Sequence, residues 1–217
     1  MRGVVALRFA GAVFTALLLL SACVGGRVIT TDLGYDPARK VSEPFAGAGA
    51  LKVALIPFET SAGVTDALGK WVGFRGREDV LKASGPPAGA VTKAVFDYMK
   101  KAGLDVVMAP AGSRVESYSE GAPDIVMGGA IEALGMNAVS KFGSTSITAS
   151  FRMKVFLRNV KDSSLLTVNV EGDSEPRTVV AFDSGVFKDT VNGVISESVE
   201  KIFKGLTIRD GLLRPAK

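Results

Sequence analysis

The sequence predicts an α+β fold, a two-layer sandwich in which two long helices pack on one face of a mixed sheet of four to five strands. Residues 144–158 alternate apolar and polar side chains, which is typical of a strand with one buried face and one solvated face. Residues 87–101 and 185–204 each carry an apolar stripe at helical spacing. Residues 51–108 read as strand, helix and strand, an order that predicts a right-handed crossover between parallel strands.

The first half of the domain follows from local signals. The run LKVALIPF at residues 51–58 is apolar and predicts a buried strand. Residues 59–85 are a long glycine-rich connection that contains Trp71, and its length predicts either a short helix or a functional loop. Proline in the first turn and Gly103 after the last turn bound the first helix, and a strand is expected at residues 104–108.

The second half of the domain is predicted to be mostly strand. Residues 124–134 indicate a strand interrupted at Gly128-Gly129, where a bulge or bend is expected. The alternating strand turns through a hairpin into a strand at residues 165–171. A short edge strand is expected at residues 177–182, and Asp183 is placed to cap the second helix.

The N-terminus carries a different kind of signal. Arg2 and Arg8 flank the start of an apolar run at residues 9–20, which is too short to cross a bilayer as a helix but is typical of a signal peptide. The letters LSAC that follow, ending at Cys23, resemble the bacterial lipobox. The resemblance implies cleavage between Ala22 and Cys23, diacylglycerol on the Cys23 thiol and an acyl chain on its amino group. The alternative is an ordinary signal peptide beside a chance cysteine.

The chain therefore divides into four parts. We predict a lipoprotein signal peptide at residues 1–22, a lipidated N-terminus and flexible tether at residues 23–50, one periplasmic α/β domain at residues 51–206 and a tail at residues 207–217. A short strand at residues 27–31 is allowed within the tether, because RVITT is rich in β-branched residues. By the sorting rule for such lipoproteins, Val24 in place of aspartate implies an outer-membrane anchor that faces the periplasm.

Composition argues against several functions. The chain has 26 basic and 22 acidic residues, and loss of Arg2 and Arg8 leaves 24 against 22, a net charge of +2 that predicts no nucleic-acid surface. The sequence has no histidine, which is the commonest general base and metal ligand. Cys23 is the only cysteine, so no intramolecular disulfide is expected. We expect a protein that is not an enzyme, without metal or cofactor apart from the covalent lipid.

Two short motifs are interpreted as structural. Ser198 and Lys201 match the serine–lysine spacing of penicillin-binding enzymes, but none of the accompanying motifs follows. We interpret them as polar positions on a solvated helix face. The acidic run at residues 171–175 offers oxygen ligands for calcium without the spacing of a known loop, and an acidic hairpin turn is the simpler interpretation.

A basic stripe on the alternating strand is the first candidate for binding a partner. It consists of Arg152, Lys154, Phe156 and Arg158, all on the polar side of the strand. Basic residues around an aromatic ring favour contact with a protein, with anionic lipid headgroups or with glycan. The alternative is a solvated sheet face whose charges discourage edge pairing.

Two aromatic residues in the long connection are the second candidate. Trp71 and Phe74 lie among glycines, and aromatic residues on loops often anchor partners. The alternative is that Trp71 fills the core of its own domain beneath the connection.

The layout of the chain resembles a group of bacterial envelope lipoproteins. The resemblance covers residues 51–206 and is carried by the lipobox, the tether, the strand LKVALIPF, the helix ending AGLDVV, the strand DIVMGG, the long hairpin and the final amphipathic helix. These proteins share a domain similar to the N-terminal α/β domain of the Tol-system translocation protein. They include auxiliary lipoproteins of transport systems, the curli secretion lipoprotein and activators of peptidoglycan synthases.

The resemblance implies a function. It points to a non-enzymatic accessory component of an envelope transport, secretion or assembly system, held at the membrane by lipid and bound to an envelope protein. Two alternatives stay open. A lipid or small-ligand carrier would need an apolar cavity between helices and sheet, and a subunit of an oligomeric secretion channel would make the chain a homo-oligomer.

Overall fold

A computed structural model describes residues 26–35 and 51–216 of the chain. Within them lie two helices and twelve strands, of which ten form one mixed sheet and two form a separate hairpin. The strands are β1 (Val28–Thr31), β2 (Lys52–Leu55), β3 (Glu59–Thr60), β4 (Ala67–Val72), β5 (Glu78–Ala83), β6 (Asp105–Met108), β7 (Ile125–Lys141), β8 (Ser144–Asn159), β9 (Leu165–Asp173), β10 (Arg177–Val179), β11 (Leu206–Arg209) and β12 (Leu212–Pro215). The helices are α1 (Pro87–Lys101) and α2 (Ser184–Lys204).

The α+β class is confirmed, but the predicted sheet of four to five strands is too small. The main reason lies in residues 59–85, which form the antiparallel hairpin β4–β5 instead of a helix or an irregular loop. The strand expected at residues 27–31 is confirmed as β1, which pairs in parallel with β5. Residues 26–35 therefore lie on the domain, although they were expected within the tether.

The sheet is organised around the long antiparallel pair β7–β8, which is in register from Ile125–Asn159 to Lys141–Ser144. Along its other edge β7 pairs in parallel with β2, β3 and β4 in turn. Beyond β2 lies β6, and beyond β4 lie β5 and β1. Strands β9 and β10 pair with opposite ends of β8. The parallel pairing of β2 with β6 across α1 is the crossover that the sequence predicts.

The two helices begin and end where the sequence indicates. Pro87 is the first residue of α1, and the chain leaves that helix through Gly103, whose φ of 86° favours glycine. At the start of α2, the Asp183 carboxylate accepts a hydrogen bond of 2.9 Å from the Val186 amide. Lysines in the last turn of each helix suit the negative end of the helix dipole.

Both helices pack into one hydrophobic core with the inner face of the sheet. The alternation predicted for β8 is confirmed, since Ile147, Phe151 and Val155 are buried in that core. The rings of Tyr98 in α1 and Phe203 in α2 stack with centroids 4.7 Å apart. Burial of each such side chain stabilises the fold by about 1.5–3 kcal/mol.

Part of the outer face is also covered, so the arrangement is more than two layers. Ala54, Ile56 and Val126 on that face pack with Ala109 and Val115 in a second, smaller cluster. The segment at residues 109–122 thus lies over the outer face at the β2 end of the sheet.

The glycine pair in β7 serves close packing and does not mark the bulge. The irregular register falls between Ile131 and Ala133, whereas Gly128-Gly129 pairs regularly with β8. A Cβ at Gly129 would overlap the Phe58 ring and the backbone oxygen of Lys154, so glycine is needed there for close approach.

The predicted C-terminal tail is wrong, because residues 206–215 form the hairpin β11–β12. Its turn is Asp210-Gly211, and both residues have positive φ, as a tight hairpin turn requires. The buried amide of Asn159 holds the hairpin, accepting from the Leu213 amide at 2.8 Å and donating to the Leu213 carbonyl at 3.0 Å. Of the described helices, neither is long and apolar enough to cross a membrane.

Candidate functional site

Two hairpin turns meet at one end of the sheet. Because β4 runs parallel to β7, with Val72 opposite Val139, the turn after β4 lies beside the turn after β7. The rings of Phe74 and Phe142 are in edge contact with centroids 5.8 Å apart. Phe74 is 62% exposed and Phe142 is 86% exposed. We call residues 73–77 and 141–143 the hairpin tip.

The N-terminal end of the described chain enters the sheet at this tip. Val28 of β1 is opposite Val80 of β5, which begins directly after the tip. The Arg27 amide donates to the Asp79 carboxylate at 2.6 Å. Gly26 approaches the Glu78 carbonyl so closely that a Cβ would overlap it.

The hairpin tip carries a surplus of positive charge. Two ion pairs lie at its base, Lys70–Glu78 at 2.8 Å and Arg77–Asp79 at 3.0 Å. The remaining cations of the tip, Arg75 and Lys141, are exposed and form no ion pair within the described residues. An exposed aromatic pair flanked by unpaired cations suits an apolar and anionic surface.

Trp71 and Phe74 are close in sequence but have different surroundings. The indole of Trp71 packs against Phe182, with ring centroids 5.1 Å apart, and its Nε1 donates to the Ser140 hydroxyl at 2.8 Å. It is half-buried at the edge of the main core, whereas Phe74 lies in solvent. The structure thus favours the alternative that Trp71 completes its own domain.

Of the basic stripe, Arg152 and Lys154 reach solvent. Lys154 lies 3.8 Å from the Glu132 carboxylate, and Arg152 is opposite Glu171 of β9 in the ladder. Carboxylates on both neighbouring strands therefore balance this part of the outer face. A surface ion pair of this kind contributes little to stability.

The other half of the stripe holds the segment at residues 109–122 in place. Phe156 packs against the second hydrophobic cluster. Arg158 is only 9% exposed, and its guanidinium donates to the carbonyls of Val115, at 2.8 Å, and Tyr118. Arg158 was expected on a solvated contact surface, but the segment folded over it makes it a buried structural residue.

An open apolar groove of about 630 Å³ runs between the first half of α1 and the sheet edge formed by β6. Pro57, Phe58, Phe96 and Met108 supply its apolar surface. The groove offers a place for an acyl chain or another apolar group.

Ser198 and Lys201 do not form a reactive pair. The expectation of a solvated position for Ser198 is wrong, because the residue is 0% exposed and packs over Gly172 of β9. Its hydroxyl has no hydrogen-bond partner in the described part of the chain. Lys201 donates instead to the Glu171 carbonyl at 2.9 Å.

The acidic run at residues 171–175 belongs to the end of β9. The Ser174 hydroxyl accepts from the Ala149 amide at 2.7 Å, which ties this turn to β8. Across residues 26–35 and 51–216, no three acidic, histidine or cysteine side chains are grouped to hold a metal ion. Ala22 and Cys23 lie outside the described residues.

The sequence analysis missed Phe142, Lys141 and Arg75. The signal for the first two was the short run Lys141-Phe142-Gly143 between two long strand patterns, where a phenylalanine in a tight turn has no core to enter. Arg75 was hidden because its surroundings were assigned to a loop.

The fold and its tip define an α+β domain whose N-terminal end enters the sheet beside an exposed aromatic and basic surface. No protein-family model matches the chain, and no curated protein matches it. Three solved structures illustrate the similarity of fold. A DUF330 protein from Xanthomonas campestris has a TM-score of 0.45 and 10% identity, over 82% of this chain and 92% of that chain. A PelC dodecamer from Paraburkholderia phytofirmans gives 0.37 and 13%, over 70% and 85%. Lipoprotein GNA1162 from Neisseria meningitidis gives 0.34 and 12%, over 71% and 99%.

Proposed function

We propose that this protein is an outer-membrane lipoprotein that acts, without catalysis, as an accessory component of an envelope transport, secretion or assembly system. The observation that carries the proposal is the position of Gly26. It already lies against Glu78 in the sheet, yet it is only three residues after Cys23. Three residues span at most about 10 Å. Acyl chains on Cys23 therefore hold the domain close to the membrane surface.

The anchor is tested by metabolic labelling with an alkyne palmitate. The wild-type chain and the control Ser21→Ala, which keeps a small residue at that position, are expected to take up the label and to remain with membranes. Cys23→Ala is expected to lose the label and membrane retention, because the acylated thiol and the amino group that follows cleavage both belong to Cys23. Unchanged labelling of Cys23→Ala would contradict the anchor.

The partner is sought by cross-linking in intact cells. The outer face of the β7–β8 pair presents Arg152 and Lys154 on a firm sheet, which suits a protein contact. Reversal of both charges is expected to reduce capture of one dominant envelope protein. The matched control is charge reversal at Lys161 and Lys188, both exposed and away from this face.

The outcomes separate the candidate functions. Equal capture by both double variants removes Arg152 and Lys154 from the contact. Recovery of the chain cross-linked only to itself supports the homo-oligomeric channel subunit in place of the accessory component. Loss of capture in the first double variant alone supports the accessory role and identifies the pathway.

A ligand carrier is the second candidate, and the groove beside α1 is the observation that favours it. Native mass spectrometry on the protein is expected to detect a bound lipid that disappears in Met108→Glu, since a carboxylate in the groove disfavours an acyl chain. Detection of the bare polypeptide alone would argue against this function.

A further inference from the structure

We infer that the hairpin tip is a membrane-contact surface, in which Phe74 and Phe142 enter the headgroup region of the leaflet that holds the anchor. Arg75 and Lys141 contact anionic lipid headgroups there. The inference rests on the proposed lipidation of Cys23 and adds a second attachment that fixes the orientation of the domain.

Chain geometry places the tip at the membrane. The backbone at Gly26 and Arg27 is fastened to Glu78 and Asp79, the residues that immediately follow the turn at residues 73–77. The distance from Cys23 is bridged by at most about 10 Å of chain. The end of the sheet that carries the tip therefore faces the bilayer, and the β6 end does not.

The exposed side chains at the tip match an interfacial surface. Two phenylalanines in contact with each other lie in solvent at the extreme ends of adjacent hairpins, where the fold itself offers no apolar cover. Exposed apolar groups concentrated at one end of a domain mark a binding surface. Val28 and Val139 nearby are also exposed and extend the apolar character toward the base of the tip.

Charge at the tip selects the kind of surface. The acidic residues next to it, Glu78 and Asp79, are each paired with a basic side chain, so Arg75 and Lys141 remain to interact with anions. Basic side chains near an anionic leaflet favour binding over a range of about one Debye length. A bilayer that contains phosphatidylglycerol provides both the apolar layer and the negative charge.

Tryptophan fluorescence tests the inference. Trp71 is the only tryptophan, so Trp71→Phe provides a dark background in which Phe142→Trp reports from the tip. The matched control is Leu165→Trp in the same background. Leu165 is also exposed, but it lies opposite Arg158 at the far end of β8. Each full-length processed protein is mixed with vesicles of phosphatidylethanolamine and phosphatidylglycerol that carry brominated acyl chains.

The expected result is a blue shift and loss of emission for Phe142→Trp and neither change for Leu165→Trp. Added charge reversal at Arg75 and Lys141 is expected to reduce the loss of emission, as is omission of phosphatidylglycerol. Circular dichroism verifies that each variant is folded.

Three outcomes overturn the inference. The first is unchanged emission from Phe142→Trp while the protein floats with the vesicles. The second is equal loss of emission at both positions. The third is a blue shift that needs no vesicles and follows protein concentration, which assigns the tip to a second copy of the chain. Intact mass reports the acyl chains independently, so failure of the anchor is distinguishable from failure of the tip.

Discussion

The contact between α2 and β9 gives a sharp prediction about stability. Ser198 is fully buried with an unpartnered hydroxyl in the described part of the chain, and its Oγ occupies the space over Gly172. A Cβ at Gly172 would overlap that oxygen. Gly172→Ala is therefore expected to lower the free energy of unfolding by about 1–3 kcal/mol, since overpacking forces neighbouring groups to move.

The same geometry predicts that Ser198→Ala reverses this loss. Removal of an unsatisfied buried hydroxyl is expected to be neutral or to stabilise the fold by about 1 kcal/mol. Once Oγ is gone, the nearest atoms to the new Cβ belong to Val194, at 3.4 Å and 3.5 Å, which are ordinary contacts. In the Ser198→Ala background, Gly172→Ala should cost nearly nothing, which corresponds to a coupling of about 2 kcal/mol.

Urea denaturation followed by circular dichroism measures all four corners of this cycle. A cost for Gly172→Ala that is the same in both backgrounds refutes the packing argument. The cycle also examines the serine–lysine interpretation. Ser198→Ala should leave partner capture unchanged, whereas a function that depends on the hydroxyl would be lost.

Three further predictions concern residues that fasten loops. Asn159→Ala leaves the amide and carbonyl of Leu213 without partners and is expected to lower the free energy of unfolding by about 2–4 kcal/mol, measured by urea denaturation. Hydrogen bonds from Ser164, together with Arg214, lower the pKa of Asp162 from 3.8 to about 2, so its contribution to stability is complete above pH 4 and is lost as the pH falls toward 2. Asp162→Asn should therefore flatten the stability profile between pH 4 and 2, and an unchanged profile would disprove the linkage. Arg158→Leu should speed amide hydrogen exchange at residues 113–118, while Arg152→Leu, the control on the same strand, should not.

The sequence was most informative where one periodicity ran for many residues. The alternation from Ile147 to Leu157 identified β8 and its buried face, and Pro87 with Gly103 marked the limits of α1. In such segments local preference and burial agree, so the pattern alone determines the element.

Short strands with few buried residues were not predicted. The runs ALGKWV and EDVLKA in β4 and β5 contain lysines and acidic residues, and their pairing depends on β7, more than fifty residues away in sequence. The hairpin tip was missed for the same reason, because Phe74 and Phe142 meet only after β4 and β7 have paired. Arg158 was misplaced because the alternation of β8 does not show which segment covers the outer face.

The position of β1 has a consequence for how an exported chain folds. Its sheet neighbour is β5, and Val28 meets Val80 across 52 residues of sequence, while β4 meets β7 across 67 residues between Gly69 and Met136. Contacts of long sequence separation form slowly, because the intervening loop must close first. In a polypeptide that emerges N-terminus first, the segment next to the lipobox waits for most of the domain before it can pair. We therefore expect lipid attachment to precede closure of the fold, with β1 the last strand to join.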